Sequence, residues 1–315
     1  HFTPEMIAYL EEKAKGGAGV VTYGEAIVHS ATGKSHNKQL QLDAFGVRQG
    51  MTEAARAIHN AGAYANIQLS HGGMYGGLAS VGGDVDTCNV AYGPSDMHMP
   101  AGDVKEMPNE LVYEIIESYG KAAKLCKETG FDMVQVHAAH GWLFSQFLSP
   151  VWNKRTDEFG GSIENRTRFC RMIIDEVRSQ IGPHMPIMLR LSADEFIKGG
   201  NTLEDTLEYL QYFEKEVDVF DVSCGLNGSI QYQIDANYLP DGWRSYMAKA
   251  VKEKYGKPCM TVGNIRDPKV AEDILAKGDA DFIGMGRGLI ADPEWVNKVE
   301  FGKECDIRKC ISCNI

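Results

Sequence analysis

The sequence lacks any apolar stretch approaching the roughly 20 residues that cross a bilayer as a helix, and no signal-peptide pattern opens it. A soluble, cytoplasmic protein is therefore the expectation. An excess of positive charge is also missing. The 32 basic and 43 acidic residues give a formal charge of −11, which argues against a nucleic-acid or anionic-membrane partner, although a local basic patch escapes an overall count. No Gly-x-Gly-x-x-Gly follows an early strand-like run, so the usual mark of an open dinucleotide-binding sheet is absent. No linker-like shift in composition divides the 315 residues, which favours one domain.

What is present is a regular alternation. Strand-like runs occupy residues 19–28, 64–69, 133–137, 187–191, 219–223, 259–262 and 282–285, with amphipathic helical stretches at 109–129, 166–180, 203–215 and 268–277 between them. Several strands are continuous apolar runs, as in a parallel sheet buried on both faces, and the 43% hydrophobic content suffices for a sizeable core. A (β/α)8 TIM barrel needs eight strands. This chain shows seven and opens on a helix at 4–15, so the economical expectation is a barrel over residues 1–302 whose first strand lies upstream of residue 1. Residues 303–315 then begin a further segment. A doubly wound open sheet is the alternative architecture.

The polar residues gather at strand ends. The third run delivers Val136-His137-Ala138-Ala139-His140-Gly141-Trp142, two imidazoles where a buried strand opens to solvent. Such a pair suits polarisation of a substrate oxygen. It equally suits a zinc site, for which His71 would be the third ligand. Gln68 offers an amide to a heterocycle edge, or to neighbouring backbone. Arg190 is a cation in an apolar strand and needs a partner, for which an anionic cofactor ring is one candidate. Gly263-Asn264 and Gly286-Arg287 close the last two strands, where backbone N–H groups and a guanidinium can meet a phosphate. Each glycine alone marks a tight turn just as well.

Eight cysteines complete the inventory. Cys126, Cys170, Cys224 and Cys259 sit in helix-like or strand-like contexts and read as buried free thiols. Cys310 and Cys313 form Cys-x-x-Cys in a polar tail, which under reducing conditions points to metal or redox chemistry rather than a disulfide. Two thiolates are half of a four-ligand set.

With the motifs Gln68-Leu69-Ser70-His71-Gly72-Gly73, His137 through Pro150, Lys154 through Arg166 and Gly284 through Pro293, the chain resembles the Old Yellow Enzyme family of flavin-dependent ene-reductases over essentially its whole length. It is most similar to the branch of 2,4-dienoyl-CoA reductases and bacterial enoate reductases with an iron–sulfur cluster. The resemblance implies an NAD(P)H-dependent flavoenzyme that passes hydride from reduced FMN to the β-carbon of an activated C=C bond in an enoate, enone or enoyl thioester. It also implies that Gln68 meets the flavin pyrimidine edge, that Arg190 stands near its N1–C2 region, and that the backbone at Gly24 and Glu25 passes beside the ring. Gly263, Asn264, Gly286 and Arg287 would hold the FMN phosphate, and His137 and His140 would anchor the substrate oxygen. Cys310 and Cys313 would be the first half of a [4Fe–4S] ligand set that relays electrons from FAD and NAD(P)H.

Two departures stand out. The family's tyrosine proton donor, two residues after the second histidine, is Trp142 here, and an indole N–H is no practical acid. The dienoyl-CoA reductases' histidine after the sixth barrel strand is also absent from Ser223 through Ile230. Tyr23, Tyr232 and Tyr238 qualify as donors by position only, and a packing role suits each. A non-catalytic electron-relay flavoprotein and a dihydrouridine-synthase-like barrel acting on RNA are the competing functions, the latter disfavoured by the acidic balance. Small-molecule substrates are the expected partners, the composition leaves homo-oligomer formation open, and the loop over residues 74–100 is expected to shape the substrate pocket.

Overall fold

The computed structural model describes residues 2–77, 90–100 and 102–314; part of the 74–100 loop, residues 78–89, lies outside them. In chain order the strands are β1 Val20–Ile27, β2 Leu40–Gln41, β3 Tyr64–Ser70, β4 Ala91–Gly93, β5 Met97–Met99, β6 Gly102–Glu106, β7 Met133–Ala138, β8 Ile187–Ser192, β9 Val219–Ser223, β10 Cys259–Val262 and β11 Phe282–Gly284. Eight of them form one sheet in the order β11-β10-β9-β8-β7-β3-β1-β2. Every pairing in it is parallel, with helices as crossovers, which is the architecture of a (β/α)8 barrel. The seven strands read from the sequence are all present. The eighth member, β2, is two residues long and meets β1 at Ala26 and Ile27; it carries no periodic signal that sequence reading could use. Among the described residues the two end strands are not paired with each other.

The barrel strands alternate rather than bury two apolar faces. In β7, Val134, Val136 and Ala138 join the main core, while Gln135 and His137 face the other way. Register carries that alternation across the sheet. Gln68 stands opposite Gln135, and His137, Arg190 and Asp221 stand side by side across β7, β8 and β9. The barrel interior at its C-terminal end is thus lined by a polar row, with the apolar residues turned toward the helices.

Helix ends follow their caps. Thr3 and Ser162 accept the N3 backbone N–H of their helices, and Thr202 and Asp205 form a capping box. The helix expected over 203–215 stops at Tyr209 and continues as 3-10 turns. Phe213 there packs against Phe144 and Tyr209, and Lys257 Nζ takes the carbonyl of Val217 at 2.7 Å, so tertiary contacts override helical continuation.

Three connections position the loops at the barrel mouth. A small second sheet, β4-β6-β5, packs Ala91 and Val104 on Met74, with Tyr75 and Trp152 against the cluster. Gln146, fully buried, accepts from Met74 N at 3.0 Å and donates to Gly72 O and Gly141 O at 3.2 and 2.7 Å. It therefore ties the turn after β3 to the loop after β7. His71 makes the third connection. Gly73 N–H donates to His71 Nδ1 at 3.0 Å, so its Nε2 carries the proton and donates to Thr32 Oγ1 at 2.9 Å. Thr32 Oγ1 then donates to His29 Nδ1 at 2.8 Å, and His29 Nε2 meets Glu114 at 3.3 Å. Burial lowers the His71 pKa to about 3.

Two stability outcomes follow. A Cβ at Gly16 would overlap the Pro293 carbonyl, whereas one at Gly19 would meet open space. Gly16→Ala should cost about 1–3 kcal/mol in urea denaturation, and Gly19→Ala should be close to neutral. His71 remains neutral when folded and titrates near 6.5 when unfolded, so its contribution is present above pH 6.5 and is lost as pH falls toward 3. Between pH 6 and 4 the fall in stability should be less steep in His71→Gln than in wild type, by up to about 1.4 kcal/mol per pH unit; equal slopes would contradict the assignment.

Candidate active site

The interior row converges on Asp221. Its carboxylate, almost fully buried, lies 3.4 Å from Arg190 Nη1 and accepts Gln135 Nε2 at 2.9 Å. Gln135 Oε1 in turn accepts Gln68 Nε2 at 2.6 Å. This sequence of donors leaves the Gln68 carbonyl oxygen directed at Gly24, where a Cβ would stand 3.0 Å from Oε1. Gln68 and Gly24 are therefore neighbours. Glu25 Oε2 accepts Ser70 Oγ at 2.8 Å and Oε1 accepts Gln39 Nε2 at 2.5 Å; burial raises its pKa against both bonds.

His137 and His140 stand edge to face, ring centroids 5.2 Å apart. His140 takes a positive φ of 64°, held by its backbone N–H donating to Ser192 Oγ at 2.9 Å. Its Nε2 lies 2.8 Å from Ser223 Oγ, which also receives Arg244 Nη1 at 3.2 Å. Among the described residues His140 is the acceptor left for the Ser223 hydroxyl hydrogen, so His140 carries its own proton on Nδ1. Burial, then the Arg190 charge, pushes both imidazoles well below the ordinary histidine range. They are neutral hydrogen-bond donors at neutral pH. Trp142 lies 6.5 Å from His137, ring to ring.

The third and fourth groups form around the exits of β10 and β11. Arg287 Nη1 donates to Asp235 O at 2.8 Å and Nη2 to Asn264 Oδ1 at 3.3 Å. Gly263 adopts φ 113°, and a Cβ there would overlap the buried Arg244–Asp235 ion pair. A Cβ at Gly286 meets nothing within 4 Å. Gly263, Asn264 and Arg287 are thus brought together, with open space beside Gly286. The tail closes on the same turn: Ser312 Oγ donates to Asn264 Oδ1 at 2.9 Å, and Arg287 bonds Asn314. Cys310 is half-buried and Cys313 exposed, while Cys126, Cys170, Cys224 and Cys259 are buried free thiols.

Sequence reasoning passed over Gln135, Asp221, Ser223, Asp235 and Arg244. The first two carry the signal that singled out Arg190, a polar residue in an apolar strand. Arg244 and Asp235 come from irregular chain with no pattern. The zinc alternative fails on geometry: His71 is committed to Thr32 and Gly73, and among the described residues no group of three or more His, Cys, Asp or Glu is placed to hold a metal ion. Of the tyrosines offered by position, Tyr23 packs on Phe2 at 4.8 Å, Tyr232 stacks with Phe196 and Trp243, and Tyr238 is 70% exposed.

Residues 2–306 match the NADH:flavin oxidoreductase / NADH oxidase family. The NADH oxidase of Thermoanaerobacter brockii is 39% identical over 98% of this chain and 47% of its own length. The cinnamate reductase of Clostridium sporogenes is 31% identical over 99% of this chain and 50% of its own. A solved 2-naphthoyl-CoA reductase complex superposes with a TM-score of 0.91 at 34% identity, covering 98% of this chain and 48% of that one. The chain spans about half the length of these relatives. Among the described residues no helix is long and apolar enough to cross a membrane. This chain belongs to the NADH:flavin oxidoreductase family, the Old Yellow Enzyme family that its motifs resemble.

Proposed function

We propose that the chain is the FMN-binding barrel of an ene-reductase that saturates the activated C=C bond of an enoate, enone or enoyl thioester. The observation that carries this is that, among the buried polar atoms without partners in the described residues, His137 Nδ1, Arg190 Nε and Asp221 Oδ1 belong to residues that stand side by side across three neighbouring strands, with Asn66 Oδ1 unpartnered on β3. Buried polar atoms are nearly always satisfied, so this row fits a planar, polar group. Gln68 and the Gly24–Glu25 backbone would hold the pyrimidine edge, Arg190 its electron-rich side, and Gly263, Asn264, Gly286 and Arg287 the phosphate. When bound, reduced FMN supplies the hydride.

The protein's own part is electrostatic. The two neutral imidazoles donate N–H groups to the substrate carbonyl or carboxyl oxygen, drawing electron density from the β-carbon. Arg190 adds positive charge without protonating them. The names of the cinnamate and naphthoyl-CoA reductases support the substrate class. Cys310 and Cys313 we assign to a [4Fe–4S] ligand set fed by FAD and NAD(P)H, on their spacing and accessibility. The described residues supply only half of such a set.

The test is anaerobic: the FMN-loaded, chemically reduced protein is mixed with cinnamate, an enone or an enoyl thioester. Flavin reoxidation with formation of the saturated product is expected, and a chain that takes up no flavin sinks the reading. His137→Ala and His140→Ala should each lower kcat/KM about 10²-fold with FMN still bound. Arg287→Ala should weaken FMN binding about 10- to 100-fold, the worth of a charge-assisted hydrogen bond, but leave the affinity for riboflavin, which has no phosphate, unchanged in fluorescence titration.

A further inference from the structure

We propose that Tyr75 is the acid that protonates the substrate α-carbon, in place of the tyrosine whose position Trp142 holds. This rests on the ene-reductase reading. The ring of Tyr75 stands edge-on to Trp142, centroids 5.7 Å apart at 84°, and Trp142 lies one ring contact from His137. Among the described residues it is the tyrosine whose ring meets the histidine motif. The contact is built rather than incidental. Gly73 turns with φ 58° at a point where a Cβ would overlap Gln146, and Gln146 binds the Tyr75 turn at Met74 N while holding the Trp142 loop at Gly141 O. Tyr75 also packs, with Trp152, against the apolar cluster of Met74, Ala91 and Val104.

The hydroxyl is equipped for the task. Asn227, in the loop after β9, is a polar neighbour of the phenol that draws its pKa down. Burial raises the Tyr75 pKa and outweighs the pull of Asn227, so the phenol keeps its proton until a carbanion-like carbon takes it. No described residue accepts the Tyr75 hydroxyl hydrogen. In the step, the Tyr75 Oη–H bond breaks as the α-C–H bond forms, and its electron pair stays on oxygen. The two electrons of the reduction arrive at the β-carbon with the hydride of the reduced flavin. Half-exposed, the phenolate recovers its proton from water, so protons and electrons balance over the turnover.

The experiment compares wild type, Tyr75→Phe and the double variant Tyr75→Phe/Trp142→Tyr. Reduced, FMN-loaded Tyr75→Phe should reoxidise with an enone about 10²-fold more slowly, the scale of general-acid catalysis. Its reoxidation by ferricyanide, which takes electrons alone, should be unchanged, and the double variant should recover at least 10-fold by placing a phenol at 142. In the flavin-free chain, ultraviolet titration should show one high-pH phenol missing from Tyr75→Phe and moved further up in Asn227→Leu. Wild type that reduces enones while Tyr75→Phe matches it overturns the Tyr75 role alone. Wild type that binds FMN and reduces none of the three substrate classes overturns the ene-reductase reading and this role with it.

Discussion

Asp221 is a carboxylate on the inner face of a barrel strand with almost no access to water, and the arrangement of the mouth depends on what faces it. Burial pushes its pKa up, and Arg190 and the Gln135 hydrogen bond pull against that. A lone buried charge is untenable, so Arg190 is held in register beside it and Gln135 is oriented with its amide nitrogen inward. Two lines of consequence leave this point. Through Gln135 the orientation reaches Gln68 and leaves a carbonyl oxygen beside Gly24, suited to a ring N–H. Through Arg190 the positive charge reaches His137 and His140, where it adds to burial, the larger cause, in keeping both neutral. One acidic side chain thereby orders Gln68 and the histidine pair together.

Much of the fold was legible because barrel strands are apolar toward the helices. The runs ending at His137, Arg190 and Ser223 carry valine, leucine, isoleucine and phenylalanine at alternate positions, and that pattern survives in one dimension. It fails for β2, which is two residues of pairing, and for β4–β6, whose partners are each other and a Gly-rich turn rather than a large core. The histidine pair, Gln68 and Arg190 were legible as polar residues at strand ends. Their orienting partners were harder to find, since a hydrogen bond such as Gln135 to Asp221 joins residues 86 positions apart. Tyr75 was invisible for another reason: its place beside Trp142 depends on a backbone turn at Gly73 that the identity of a tyrosine does not encode.

The mouth is a set of loops made rigid by buried side chains. Gln146 joins three backbone groups from two loops, His71 joins the Gly73 backbone to the Thr32 hydroxyl, and Ser223 links His140 to Arg244. Each is a polar residue with its hydrogen-bond capacity spent on protein. The neighbouring polar atoms of Asn66, His137, Arg190 and Asp221 differ, having unspent capacity in the same region. The division separates scaffold from site: the satisfied groups fix distances between loops, and the unsatisfied ones face what the loops enclose.

The tail around Cys310 and Cys313 is fastened to the turn that ends β10. Asn264 receives both Ser312 Oγ and Arg287 Nη2, and Arg287 holds Asn314. Posture of the tail and occupancy of the turn are therefore thermodynamically linked. Any group that draws Arg287 or Asn264 toward itself changes the cost of moving the cysteine pair, and a shift of that pair changes the group's affinity by the same factor in return. The placement of Arg287 and Asn264 at that turn and the placement of the thiols on its flank become two readings of a single equilibrium.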